Sequence, residues 1–216
     1  MKFYTSILDK NQQEVLPKLE FLTKKGFYLA GGTALSLQIG HRTSVDFDFF
    51  IQDHFDSNEL VDEINKVFTT NSKITLIEKD TVFANINGVD CSFFWYQYPL
   101  IKTAEIVSGV KLASLEDISA MKLLAVSHRP AKRDYIDIYY LLKKFDIAKM
   151  FTFATKKYKN FNKYLILRTL TYYDDVEGKE NKRPIKLTDT NFSWEKAKEL
   201  ITSEVKKYQL GMFTKK

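Results

Sequence analysis

The chain is poor in the residues that build covalent cross-links and metal cages. It has one cysteine, Cys91, so an internal disulfide and a cysteine-rich zinc site are both excluded. Its three histidines, His41, His54 and His128, fall in no metal-ligand spacing. Neither His-Glu-x-x-His nor Gly-x-Ser-x-Gly occurs, which removes the common zinc-protease and serine-hydrolase signatures. No apolar run approaches the ~20 residues of a membrane span. The opening Met1-Lys2-Phe3-Tyr4-Thr5-Ser6 lacks the apolar core and small-residue cleavage site of a signal peptide. No membrane association and a cytoplasmic protein are the simplest expectations. There is no internal repeat and no low-complexity tract.

What is present suits a globular protein. The 216 residues are 44% hydrophobic and 28% charged, enough for one generous domain or two small lobes. The net charge of +6 is unevenly placed. Residues 1–150 hold 18 Lys/Arg against 19 Asp/Glu, whereas residues 151–216 hold 15 against 8. The basic excess is interleaved with Phe151, Phe153, Tyr158, Phe161, Tyr164, Tyr172 and Tyr173. That composition fits a nucleic-acid-facing surface or a solvated, lysine-rich helical lobe equally well.

Hydrophobic spacing gives a coarse map. Val15, Leu16, Leu19 and Leu22 predict an amphipathic helix over 12–24 that Gly26 ends. Phe27 to Ala30 reads as a short buried strand, and Thr33 to Gln38 as the helix after a Gly31-Gly32 turn. Val45 to Ile51 alternates an apolar set (Val45, Phe47, Phe49) with an acidic set (Asp46, Asp48). Ser57 is expected to cap a helix over 58–69. Strands are expected over 73–78, 81–87 and 89–96, with Asn87-Gly88 as a two-residue hairpin turn. Pro99 then closes the sheet region. Ser114 and Asp117 suggest a capping box before a helix over 115–128. Pro130 breaks it, and a second helix follows from about Arg133 to Phe145. Beyond 146 the pattern is helical, interrupted by a polar loop around Gly178 to Pro184 and resumed near Ser193-Trp194-Glu195. This places an α/β lobe over 1–110 and a helical lobe over 111–216.

The most informative stretch is Leu29-Ala30-Gly31-Gly32-Thr33-Ala34-Leu35 followed by His41-Arg42-Thr43-Ser44-Val45-Asp46-Phe47-Asp48. Adjacent glycines let backbone N–H groups approach a phosphate, and a helix N-terminus adds partial positive charge there. Aspartates two apart on a strand share a face and can hold a divalent cation together. Separately, the two features are commonplace, as a tight turn and a solvated strand face. Their order, joined by one short helix and a basic loop, points to nucleotide chemistry.

A second cluster runs through Lys122, Arg129, Lys132, Arg133, Asp134 and Asp137. Lys122 lies in an apolar helix segment, where an ammonium snorkels out or faces a polar cleft. Asp134 and Asp137, three apart, share a helical face near its N-terminus. On these residues alone, an inter-helix salt-bridge network is the better reading. Cys91 reads as a small strand residue rather than a nucleophile. Tyr172 and Tyr173 are candidates for stacking on a base.

Together these segments resemble the AbiEii-type nucleotidyltransferase toxin family, within the DNA polymerase β-like nucleotidyltransferase superfamily. The resemblance rests on the Gly-Gly-Thr-Ala-Leu turn, the Arg-Thr-Ser-Val-Asp-Phe-Asp strand and the segment from Lys122 to Asp137. It continues weakly through Leu170-Thr171-Tyr172-Tyr173-Asp174-Asp175 and Trp194. It implies an α/β (α+β) fold, a polymerase β-like lobe with a mixed sheet followed by a basic helical lobe that completes the cleft.

It also implies a nucleoside triphosphate substrate and Mg2+, with Mn2+ as the alternative cofactor. Gly31, Gly32 and Thr33 would contact the phosphates, and Asp46 and Asp48 would ligate the metal. Lys122 would stabilise triphosphate charge, and Asp134 matches a further essential acidic position. Arg129, Arg133 and Asp137 would support the nucleotide site. Arg42 would reach the phosphates or pair with a metal aspartate. Asp90, expected to share a face with Ser92 and Phe94, is either a third metal ligand or a solvated acid at a strand start. The implied role is a toxin of a toxin–antitoxin or phage-defence (abortive infection) pair, with a cognate antitoxin and an RNA acceptor such as a tRNA 3′ end. The competing readings are transfer to a protein side chain and a non-catalytic RNA- or protein-binding relative of the same fold.

Overall fold

The computed structural model describes residues 3–177 and 185–213. The polar loop expected around Gly178 to Pro184 lies outside the described residues. The chain divides into two compact units, Met1–Ser114 and Leu115–Lys216.

The first unit is built on a seven-stranded mixed sheet. Its strands are β1 (Tyr28–Ala30), β2 (Asp46–Ile51), β3 (Ser72–Glu78), β4 (Thr81–Ile86), β5 (Val89–Trp95), β6 (Glu105–Val107) and β7 (Val110–Leu112). They lie in the order β3-β4-β5-β2-β1-β7-β6. β2 is central, antiparallel to β1 and parallel to β5. It alternates half-buried Asp46, Asp48 and Phe50 with buried Phe47, Phe49 and Ile51, because side chains on a strand alternate between faces. The apolar set builds the core: Phe49 and Phe93 stack at 5.5 Å, and Phe27 meets Phe93 edge-on. Val45, expected to join that set, precedes the strand and is exposed.

Turn chemistry fixes much of the topology. Asn87 and Gly88 both have positive φ, as a two-residue hairpin requires. Ser108 and Gly109 do the same between β6 and β7, so the sheet continues past Pro99, where the sequence pattern suggested it ended. The helix expected over 12–24 is two pieces, α1 (Lys10–Lys18) and α2 (Phe21–Lys24). A capping box of Asp9 and Gln12 opens α1. Helix α3 (Gly31–Ile39) follows β1 directly. Helix α4 (Ser57–Val67) is capped by Asp56, not Ser57. The Ser57 hydroxyl instead donates to Glu78 O at 2.6 Å.

The second unit is helical: α5 (Leu115–His128), α6 (Lys132–Leu142), α7 (Ile147–Lys157), α8 (Lys163–Leu170) and α9 (Trp194–Phe213). Asp146 caps α7 and Asn162 caps α8. Its core mixes aliphatic and aromatic side chains. Tyr135, Tyr173 and Trp194 meet at ring separations of 5.6–6.2 Å, and the Tyr135 hydroxyl donates to Thr169 O at 2.9 Å.

Candidate active site

The acidic face of β2 is placed by register. Asp48 lies opposite Ala30 across the β1–β2 pair. The chain then turns at Gly31, whose φ is +67°, into α3. A Cβ on Gly31 would fall 2.7 Å from Asp48 Oδ2, so the backbone that opens the helix rests against the carboxylate. A Cβ on Gly32 would fall 2.5 Å from Arg42 Nη2 and 3.0 Å from Ser44 Oγ. A side chain at either glycine would have to displace these groups, and Gly31 also has a left-handed backbone that favours glycine.

The surrounding groups hold this corner rigidly. Thr33 is buried, and its hydroxyl donates to the backbone carbonyl of Asp46. Any phosphate contact from Thr33 thus falls to its N–H. Arg42 is buried and its Nη1 donates to Thr43 O at 2.9 Å, which fixes the guanidinium over Gly32. Gln12, also buried, donates from Nε2 to Ser44 O at 2.8 Å.

On β5, Asp90 pairs in register with Asp46, and Ser92 with Asp48. Parallel strands in register present paired residues to the same face, so Asp90, Ser92 and Phe94 flank the acidic set. Asp90 is exposed, and its Oδ1 accepts from Asn85 Nδ2 at 2.8 Å. Among the described residues, no group of three or more His, Cys, Asp and Glu side chains converges to hold a metal alone. The chemistry still suits a hard cation. Asp46 and Asp48 offer oxygen donors on one face, and a cation such as Mg2+ takes its remaining ligands from phosphates and water. On the other face, Cys91 is buried, and its thiol is pushed well above its ordinary range by burial and then by Asp90, Asp48 and Asp46. It stays protonated, which removes it as a nucleophile.

Three of the sequence candidates of the second unit form a closed ionic triad. Lys122 Nζ, on α5, lies 2.7 Å from Asp134 Oδ1 and 2.6 Å from Asp137 Oδ2, both on α6. All three residues are buried. The salt-bridge reading of these residues describes the observed geometry. Arg129 is exposed and Arg133 half-buried. Tyr173 packs into the aromatic core, while Tyr172 is exposed. No local pattern signals a further buried pair, Lys157 Nζ to Asp117 Oδ1 at 2.7 Å, in which both side chains are fully enclosed. Gln12 does carry a local signal, since Asp9-x-x-Gln12 is a capping signature.

The profile of the nucleotidyl transferase AbiEii toxin family, of type IV toxin–antitoxin systems, matches residues 20–103 and 96–211. The chain belongs to the AbiEii family. This family member is a nucleotidyltransferase. It is 35% identical over 210 residues to an uncharacterized protein of Aquifex aeolicus (strain VF5), covering 93% of this chain and 97% of the other. Its fold is similar to that of JHP933 from Helicobacter pylori, with a TM-score of 0.56, 16% identity and coverage of 99% and 100%. It is also similar to MenT4, a nucleotidyltransferase toxin of Mycobacterium tuberculosis H37Rv, with a TM-score of 0.51, 13% identity and coverage of 89% and 80%. The mixed α/β fold is thus shared with these structures, and the Gly31-Gly32 turn and the Asp46–Asp48 face lie in its sheet unit. No helix among the described residues is long and apolar enough to cross a membrane.

Proposed function

We propose that this protein transfers a nucleoside monophosphate from a nucleoside triphosphate to an acceptor hydroxyl on RNA, with tRNA 3′ ends as the leading candidate, and serves as the toxin of a toxin–antitoxin pair. The observation that carries the reading is the contact between the Gly31-Gly32 turn and the Asp48 carboxylate. It sets N–H groups able to take phosphate oxygens beside carboxylates able to take a cation.

Asp46 and Asp48 would hold Mg2+, with Mn2+ able to replace it, and the bound cation would supply charge neutralisation on the triphosphate. Gly31, Gly32 and the Thr33 N–H orient the phosphates, and Arg42, fixed over Gly32, adds positive charge beside them. The acceptor oxygen bonds to the α-phosphorus as the bond to the β-phosphate breaks. Pyrophosphate leaves and the acceptor gives up its proton. Asp90 flanks this pair in register with Asp46, and its carboxylate would reach the cation only by turning from Asn85. The family resemblance extends the reading to Lys122 and Asp134 as residues needed for transfer, with Arg129, Arg133 and Asp137 in support. The basic excess of 151–216 supports an RNA acceptor, since clustered Lys and Arg bind the phosphate backbone. An antitoxin partner follows from the family.

The test incubates purified protein with each labelled nucleoside triphosphate, Mg2+ and either total RNA or total protein. Label in the RNA fraction, abolished by Asp46→Asn and by Asp48→Asn, is the expected result. Label in protein would replace the acceptor, and label unaffected by either substitution would remove the assigned site.

A further inference from the structure

We infer that Gln12, on a helix outside the nucleotide-binding turn, is a positioning residue for the nucleotidyl-transfer site, and that α1 acts as a brace for the segment carrying Arg42 and Ser44. The proposal rests on the site assigned under Proposed function.

Gln12 is 1% exposed, and both ends of its amide are engaged. Its Oε1 accepts from Asp9 N at 3.1 Å, closing the capping box, while its Nε2 donates to Ser44 O at 2.8 Å across 32 residues of sequence. An amide that only capped the helix would need just the first bond. The second ties the N-terminus of α1 to the backbone two residues before Asp46. Between that anchor and α3 lies Arg42, whose guanidinium together with Ser44 Oγ covers Gly32. From the other side, the Thr33 hydroxyl holds Asp46 O. The approach to β2 is therefore clamped twice, from α3 and from α1.

The same helix also reaches the neighbouring acidic strand. Glu14 Oε2 accepts from Asn87 Nδ2 at 3.3 Å, and Asn11 Nδ2 would lie 3.0 Å from a Cβ on Gly88. These two residues form the turn that leads into Asp90. The N-terminal part of α1 thus touches the chain just ahead of both Asp46 and Asp90, which pair in register. Relaxing it would let Arg42 and Ser44 drift from Gly32 while the sheet core, built from Phe47, Phe49 and Phe93, stays packed. The Gln12 amide is buried and Ser44 is half-buried, so water only partly replaces this bond when the donor is lost.

Gln12→Glu isolates the second bond. It keeps side-chain length and the acceptor for Asp9 N, but sets an acceptor against Ser44 O. Val61→Ala, a core truncation on α4, is the control for lost stability alone. Nucleotide affinity in Mg2+, kcat, KM and hydrogen exchange of the amides over 43–47 are compared at equal folded fraction. The expected result is nucleotide affinity weakened about tenfold, with faster exchange over 43–47, in Gln12→Glu and not in Val61→Ala. KM should rise by more than kcat falls. Unchanged exchange, or an affinity no worse than that of Val61→Ala, overturns the brace. Wild-type protein that binds no nucleotide overturns the site assignment and the positioning role with it. Wild-type binding with an unaffected Gln12→Glu overturns this proposal alone.

Discussion

Gly31 and Asp48 are in a contact that leaves no room for a side chain, since a Cβ on the glycine would sit 2.7 Å from Asp48 Oδ2. Gly31 also has a left-handed backbone, φ +67°. Gly31→Ala should therefore lose stability by roughly 1–3 kcal/mol from backbone strain, with the displaced carboxylate adding to it. It should lose nucleotide transfer by more than its folded fraction explains. Chemical denaturation and transfer assays on one preparation check both.

Lys122 is bonded to both Asp134 and Asp137, and all three are buried. Removing one member of such a cluster leaves uncompensated charge, which costs about 3–5 kcal/mol. Lys122→Met should therefore unfold more easily than Lys122→Met/Asp134→Asn/Asp137→Asn, in which the carboxylates are neutralised too. If Lys122 serves transfer as well as packing, the triple variant should regain stability without regaining activity. Recovery of transfer in the triple variant would make the cluster purely structural.

Asp80 gives the acid limb of stability a named source. Burial alone would raise its carboxyl, but the Phe55 N–H and His54 Nδ1, at 3.0 and 2.7 Å, outweigh it and hold the group below its ordinary 3.8. A carboxyl depressed in the folded state contributes stability that is complete above its unfolded value and lost as pH falls through the folded one. Unfolding free energy should therefore decline below about pH 4, and Asp80→Asn should flatten that decline. Urea titrations from pH 3 to 6 measure it.

Cys91 is enclosed and its thiol is pushed upward by burial and by three nearby carboxylates. Native protein at pH 8 should react with a thiol reagent only at its opening rate, and denatured protein at once. Rapid native labelling would show that β5 opens locally.

Local signals carried the sequence far where the physics is local. The alternation of Asp46 to Ile51, the Asn87-Gly88 hairpin and the Gly31-Gly32 turn each depend on neighbours within a few residues, and each element formed as expected. Ser108-Gly109 carries the same hairpin chemistry as Asn87-Gly88, but its strands are three residues each, too short to show alternation. The α4 cap moved to Asp56 because the Ser57 hydroxyl found Glu78 O instead. That partner lies 21 residues away in sequence, beyond any local pattern.

The chain carries its chemical inventory in local order: a glycine pair before a helix, two aspartates on one strand face, and a basic C-terminal third. Those follow from spacing and charge, which the chain carries before it folds. What each group bonds to was set by folding. It set Asp90 in register with Asp46, committed the Thr33 hydroxyl to Asp46 O, enclosed Lys122 between two carboxylates, and brought Gln12 to Ser44. The reason is physical: burial makes an unpaired polar group costly. Each such group must take whatever partner the packing brings near, and sequence separation does not reveal that partner.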